Sequence, residues 1–150
     1  MKNSKSYIAT IFTLFLFIYS ASLSAEKWNR EASGFSETES FEYGNNKVVL
    51  YKNNTTWKDT KGNYGTSKCY GLIVYDDKTS IIDYKMYCNF DDQDKERFTH
   101  QYFRNTEFSA GVGESILIGG EGKWKKLIGL KCTYAIDYLR KALFLVEKCS

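Results

Sequence analysis

The feature that most restricts the fold of this chain is a repeated alternation of apolar and polar residues along short segments. Ser80–Phe90 shows it most clearly. The alternation places the following side chains on one face: Ile82, Tyr84, Met86, Cys88 and Phe90. A period of two residues is that of a half-buried antiparallel β-strand.

Similar segments recur along the chain, separated by turns rich in Gly, Asn and Asp. The predicted strands are Glu37–Tyr43, Val48–Tyr51, Lys68–Asp76, Ile81–Phe90, Glu96–Arg104, Glu114–Ile118, Lys131–Leu139 and Ala142–Lys148. No long stretch has a helical period, and Glu121–Leu127 is predicted to form one short helical turn. Many short strands without helices indicate a barrel or a sandwich. We predict an all-β fold, a single antiparallel β-barrel of about eight strands, because closure leaves no exposed sheet edge.

Residues 1–25 have the layout of a secretory signal peptide. Lys2 and Lys5 precede an uncharged apolar run, Ile8–Tyr19, and small residues follow it. The run is shorter than the roughly 20 residues needed to cross a bilayer, so it is not predicted to be a membrane anchor. We therefore expect residues 26–150 to form one secreted or periplasmic domain, without stable membrane insertion after cleavage.

The composition excludes several classes of protein. Hydrophobic residues make up 43% of the chain and aromatic residues 17%, which is too apolar for a disordered polymer. Loss of Lys2 and Lys5 with the signal would lower the formal charge from +3 to +1. Because nucleic-acid binding depends on a concentration of positive charge, no nucleic-acid partner is expected.

Four cysteines in an exported domain predict two disulfides, which would staple the barrel. Folding the chain back around residues 77–80 places Cys69 opposite Cys88, near enough for a cross-strand bridge. A turn at Arg140-Lys141 would likewise place Cys132 opposite Cys149, although neither turn residue favours positive φ. The spacings contain no CxxC pair and no neighbouring histidine ligands, so neither a metal nor a cofactor is predicted.

The glycine-rich segment Gly111–Tyr134 reads GVGESILIGGEGKWKKLIGLKCTY. Its GGEGKW and following IG resemble an element of the allene oxide cyclase barrel superfamily, which includes the plant dirigent proteins. Segments beginning at Cys69 and Tyr87 are similar to preceding elements of small exported bacterial members of uncharacterised function. The resemblance covers roughly residues 65–138. Glu121 and Lys95 depart from it, since they stand where Thr and Gly are usual.

The glycines of this segment also have a structural interpretation. Gly119, Gly120 and Gly122 are expected to form a corner at positive φ. Gly129 is expected to allow a close approach of the backbone at a bend of the barrel. A phosphate-binding loop is not predicted, because Trp124 follows Gly122-Lys123 where that motif needs Ser or Thr.

The leading functional hypothesis is non-enzymatic: the barrel interior binds a small, largely apolar molecule. Residues predicted to line the site are Tyr84, Met86, Phe98, His100, Tyr102, Arg104 and Tyr134. His100 is the only imidazole, but no nucleophile motif accompanies it, so no catalytic residue is assigned. The resemblance implies a second hypothesis, a cyclase or isomerase acting on a lipid-derived or phenolic ligand. A third is a structural or interaction module with a filled core.

Overall fold

The architecture was obtained from a computed structural model, which describes residues 28–77, 79–104 and 111–150. These residues form eight β-strands and one 3-10 helix, η1, Gly122–Leu127. The strands are β1 Trp28–Tyr43, β2 Asn46–Asp59, β3 Tyr64–Tyr75, β4 Ile81–Asp92, β5 Arg97–Phe103, β6 Val112–Gly120, β7 Lys131–Leu139 and β8 Ala142–Cys149. The predicted signal peptide lies outside the described residues.

The eight strands form a closed barrel in which each strand pairs antiparallel with its neighbour in sequence and β1 pairs with β8. The predicted all-β barrel and the predicted helical turn are therefore confirmed. Alternate residues of every strand face the interior, which is where the hydrophobic core lies. Every hairpin joins adjacent strands, so the topology contains no crossover.

Both predicted disulfides are present, Cys69–Cys88 and Cys132–Cys149. Each joins residues that lie directly opposite on adjacent strands. The turn at Arg140-Lys141 forms because Arg140 adopts a φ of 59°, a conformation that few residues other than Gly occupy. Two disulfides are typical of a non-reducing, extracytoplasmic environment.

The β3–β4 hairpin departs from the predicted register near its tip. Val74 pairs with Asp83, as expected, but a bulge then pairs Tyr75 with Ile81. As a consequence Ile81 packs against the core and Ile82 is 53% exposed. The prediction that Ile82 faces inward is therefore wrong, because a bulge interrupts the alternation of the strand.

One end of the barrel, the closed end, is covered by η1. Trp124 of this helix is buried, and its indole nitrogen donates a hydrogen bond to Asp92 at 2.8 Å. Lys123 forms an ion pair with the same carboxylate at 2.9 Å. Two consecutive residues of the helix, Lys123 and Trp124, thus bind the same carboxylate of β4 and hold η1 at the end of the barrel.

At the other end, the open end, β1 continues past its last partner on β8. Pairing with β8 ends at Phe35, and β1 then pairs only with β2 as far as Tyr43. We call Ser36–Lys52, the projecting part of the β1–β2 hairpin, the lip. In the lip, β1 has no strand partner on its other side among the described residues, so a short sheet edge remains although the barrel is closed. The exposed Glu39 and Glu42 lie on this edge, and their charges disfavour pairing with strands of other molecules.

The glycines have the expected roles only in part. Gly122 and Gly129 have positive φ values, 49° and 92°, whereas Gly119 and Gly120 do not. A Cβ on Gly129 would meet open space, so this residue is required by its φ and not by a close approach. At Gly120 a Cβ would lie 2.9 Å from the backbone of Trp124, so this glycine is the one that permits close packing against η1.

Candidate functional site

Aromatic side chains fill the closed half of the barrel. Phe90 stacks on Phe98 with a distance of 4.6 Å between ring centroids, and the ring centroids of Phe98 and Trp124 are 4.2 Å apart. Trp28 and Trp57 complete the cluster, and all five residues are buried. Phe98, predicted to contact a ligand, is part of this packed core.

Above this cluster lies a polar network with no exposed side chain. Arg30 of β1 forms an ion pair with Glu147 of β8 and donates a hydrogen bond to the Tyr102 hydroxyl at 2.8 Å. Ser115 donates a hydrogen bond to the second oxygen of Glu147 and lies 3.2 Å from Nδ1 of His100. The Arg30 guanidinium stacks over the Phe90 ring at 3.9 Å, which stabilises its charge.

The protonation of this network follows from its geometry. Burial alone would raise the pKa of Glu147, but the Arg30 cation and hydrogen bonds from His100 and Ser115 lower it to about 2. Burial lowers the pKa of His100 below its usual value of 6.5, against the opposing effect of Glu147. At neutral pH the network therefore holds one ion pair and a neutral imidazole.

The network is not a metal site. Ligand atoms of His100, Cys132 and Glu147 lie within 4.8 Å of one another. However, the Cys132 sulfur is bonded to Cys149 and offers no thiolate, and Glu147 already neutralises Arg30. A cation at this position would lie beside the fully buried Arg30 guanidinium, which is electrostatically unfavourable.

Between the network and the open end lies a small interior chamber of about 20 Å³. Its lining includes the polar side chains Asn53, Thr55 and Ser67 and apolar ones, among them Leu143 and Leu145. A volume of this size holds about one water molecule. Side chains therefore occupy most of the deep interior of the barrel.

A much larger cavity, the mouth, opens at the lip and has a volume of about 800 Å³. The residues lining its inner wall include Tyr51, Ile73, Tyr75 and Tyr138. The hydroxyls of Tyr51 and Tyr138 lie 3.0 Å apart and join β2 to β7 across the lumen. Although the Tyr138 side chain is 51% exposed, its hydroxyl is thus directed into the barrel.

The predicted ligand-contacting residues other than Arg104 divide into two groups. Tyr84, Met86, Tyr102 and Tyr134 line the chamber. Phe98 and His100 lie deeper, in the aromatic cluster and the polar network, and line neither the chamber nor the mouth.

Arg104 follows β5 at the open end and is half-buried. Burial raises the pKa of Tyr134, and both a hydrogen bond with Tyr84 and the charge of Arg104 oppose that rise. This effect places the Arg104 charge near the tyrosines of the open end, although Arg104 does not line the chamber.

Residues of the polar network and of the chamber were missed by the sequence analysis. Arg30 was missed because β1 begins at Trp28, nine residues before the predicted strand. Asn53 lies in the part of β2 that follows the predicted Val48–Tyr51, where polar residues face inward and hide the alternation. The signal that could have identified them is the continuation of the period-two register along both strands, whatever the polarity of the inward residue.

No helix among the described residues is long and apolar enough to cross a membrane. Compared with protein-family models and with curated proteins, the chain gives no match.

Proposed function

We propose that this protein is exported from the cytoplasm and binds a small, largely apolar molecule in the mouth of its barrel. The observation that carries the proposal is the difference in volume between the two cavities, about 800 Å³ at the mouth and about 20 Å³ in the chamber. Ligand sites in proteins have volumes of roughly 300–1,000 Å³. The proposed site is therefore nearer the open end than the barrel interior named in the sequence-based hypothesis.

The chemistry of the mouth favours a neutral ligand. Tyrosine rings present broad apolar faces with a single polar atom at the tip. Burial raises the pKa of Tyr138, and the neighbouring Tyr51 raises it further, so the Tyr138 phenol stays neutral at physiological pH. Rings of this kind pack well against an aromatic or aliphatic ligand and offer it hydrogen bonds without charge.

The rim of the mouth carries charges of both signs. Lys52 forms an ion pair with Glu37 at 2.7 Å, and Arg140 and Lys141 lie on the facing β7–β8 hairpin. Charges of opposite sign in close proximity produce a weak field at a distance. The rim is therefore better suited to a ligand recognised by shape and apolar contact than to a strongly charged ligand attracted from a distance.

A filled-core interaction module is the second candidate, favoured by the packing of the deep interior. The cyclase or isomerase hypothesis has less support, because Glu147 and His100 are fully buried and line neither cavity. A general acid or base must come within hydrogen-bond reach of its substrate. The structure offers such reach to the tyrosines of the open end but not to these two groups.

Native mass spectrometry of the protein purified from the cell envelope or medium of its host tests the proposal. We expect a bound molecule that is released under mild activation. Thr38→Trp should abolish the adduct, because Thr38 is exposed and lines the mouth. Ser40→Trp is the matched control: it places the same ring on an exposed position of the same strand, outside the lining.

An adduct that survives Thr38→Trp would place the ligand elsewhere and refute the mouth as the site. Repeated purification without any adduct, combined with capture of a protein partner, would favour the interaction module.

A further inference from the structure

Asn53 holds an unusual position in the interior of the barrel. Its side chain faces inward from β2 and the residue is only 6% exposed. Its Nδ2 donates a long hydrogen bond to the Tyr51 hydroxyl at 3.5 Å, and its Oδ1 has no partner among the described residues. Since a buried amide oxygen without a donor costs free energy, this atom requires an explanation.

The walls of the chamber do not supply the missing donor. Thr55 and Ser67 belong to the lining, and their hydroxyls pair with each other at 2.6 Å. No hydroxyl of the described lining is hydrogen-bonded to Oδ1, and Leu143 and Leu145 have no polar side-chain atoms. An incoming donor therefore finds one open acceptor, and the chamber of about 20 Å³ admits a group of about the size of a water molecule.

The chamber adjoins the mouth along β2. Tyr51 lines the mouth and Asn53 lines the chamber, and the two residues are adjacent on the inner face of β2. The Tyr51 hydroxyl, which pairs with that of Tyr138, also accepts the hydrogen bond from Nδ2 of Asn53. A single hydrogen bond therefore separates the lining of the mouth from Asn53.

We propose that the molecule bound in the mouth is an alcohol or a phenol whose terminal hydroxyl enters the chamber and donates a hydrogen bond to Oδ1 of Asn53. This inference rests on the proposed function and specifies its ligand class. An ether or an ionised carboxylate of the same shape offers no donor and leaves Oδ1 unsatisfied. The apolar body of the ligand stays among the tyrosine rings, and Asn53 determines which end enters.

The test compares 2-naphthol with 2-methoxynaphthalene by fluorescence titration of the folded barrel at neutral pH. The two probes share one apolar body, and only the first carries a donor. We expect the wild-type protein to bind 2-naphthol about tenfold more tightly, the ratio that a single hydrogen bond to a buried acceptor produces. Asn53→Leu should reduce that ratio to about one by weakening the binding of 2-naphthol alone.

Asn54→Leu is the matched control, because Asn54 is the exposed neighbour on the outer face of the same strand. It should retain the wild-type ratio. If Asn53→Leu does not fold, Asn53→Asp keeps an acceptor at this position and should retain the preference for 2-naphthol.

The outcomes separate the two proposals. Equal binding of both probes by the wild-type protein would overturn the assignment of Asn53. It would mean that a water molecule, and not the ligand, donates a hydrogen bond to Oδ1. Binding at the mouth would be unaffected by this outcome. Binding of neither probe, in a protein that also purifies without a ligand, would overturn the proposed function itself. A preference for 2-naphthol that survives Asn53→Leu would also overturn the assignment.

Discussion

Arg30 and Glu147 form an ion pair inside the barrel, and neither side chain has any exposed surface. The pair joins β1 to β8, the two strands whose pairing closes the barrel. Removing two charges from water costs several kcal/mol for each ion, and close contact with further hydrogen bonds offsets that cost. Tyr102 and Ser115 supply those hydrogen bonds, and the network thereby ties the first and last strands to β5 and β6.

We expect the two charges to be strongly coupled. Arg30→Met and Glu147→Leu should each destabilise the barrel by roughly 3–5 kcal/mol, because each leaves a buried charge without its partner. The double variant should be closer to the wild-type protein than either single variant. Urea unfolding of the four proteins measures the coupling, and additive losses in the double variant would show that the ion pair does not act as a unit.

Stability should decrease with acidification in two stages. His100 is neutral in the folded state because its pKa is lowered from 6.5, so its contribution is present above pH 6.5 and is lost as the pH falls below that value. The pKa of Glu147 is lowered from 4.5 to about 2, so its contribution is present above pH 4.5 and is lost between these values.

Denaturant midpoints measured from pH 8 to pH 3 check both stages. His100→Gln should remove the first stage and keep the second. A stability profile of the variant that matches the wild-type profile between pH 6.5 and pH 5 would contradict the neutral buried imidazole.

Gly113 is required by the position of Tyr134. A Cβ on Gly113 would lie 2.4 Å from the Tyr134 hydroxyl oxygen and would overlap the ring. Gly113→Ala should therefore cost roughly 1–3 kcal/mol, the usual range for overpacking, and displace the Tyr134 ring from the chamber. At Gly119 an added Cβ would come no closer than 3.9 Å to Thr99. Gly119→Ala should be nearly neutral, and equal losses in thermal melts of the two variants would refute the packing argument.

Lys95 adopts a φ of 64° in the β4–β5 turn. Left-handed backbone is unfavourable for residues with a Cβ, and Gly tolerates it. Lys95→Gly should therefore leave stability unchanged or raise it by up to about 1 kcal/mol. Lys85→Gly, in the extended backbone of β4, should lower stability instead. The comparison requires only thermal melts, and a loss in Lys95→Gly as large as in Lys85→Gly would contradict it.

The fold followed from the sequence because alternation and turn positions act over a few residues. The register of the β3–β4 hairpin was predictable from the turn that precedes Ile81, and it placed Cys69 opposite Cys88. The bulge at Tyr75 was not predictable, because nothing in the local composition distinguishes a bulged pair from a regular one. The result was the wrong face for Ile82.

The buried polar network was harder to predict because it depends on residues that local rules place outside. Arg30 and Glu147 are charged, and charged residues are rarely buried unless they are paired. Their pairing joins the two ends of the domain and is set by closure of the barrel, a property of the whole chain. The tyrosines of the chamber were predictable because they keep the alternation of their strands, as Tyr84 and Tyr134 show.

Binding at the mouth is tested most directly by intermolecular nuclear Overhauser effects between bound 2-naphthol and methyl groups of the protein. Ile73 and Leu72 are neighbours on β3, and only Ile73 lines the mouth, whereas Leu72 is on the outer face. We expect cross-peaks from the naphthalene protons to the methyls of Ile73 and none to those of Leu72. Cross-peaks to Leu72 without any to Ile73 would show that the molecule binds the outer surface, and would contradict a ligand site in the mouth of the barrel.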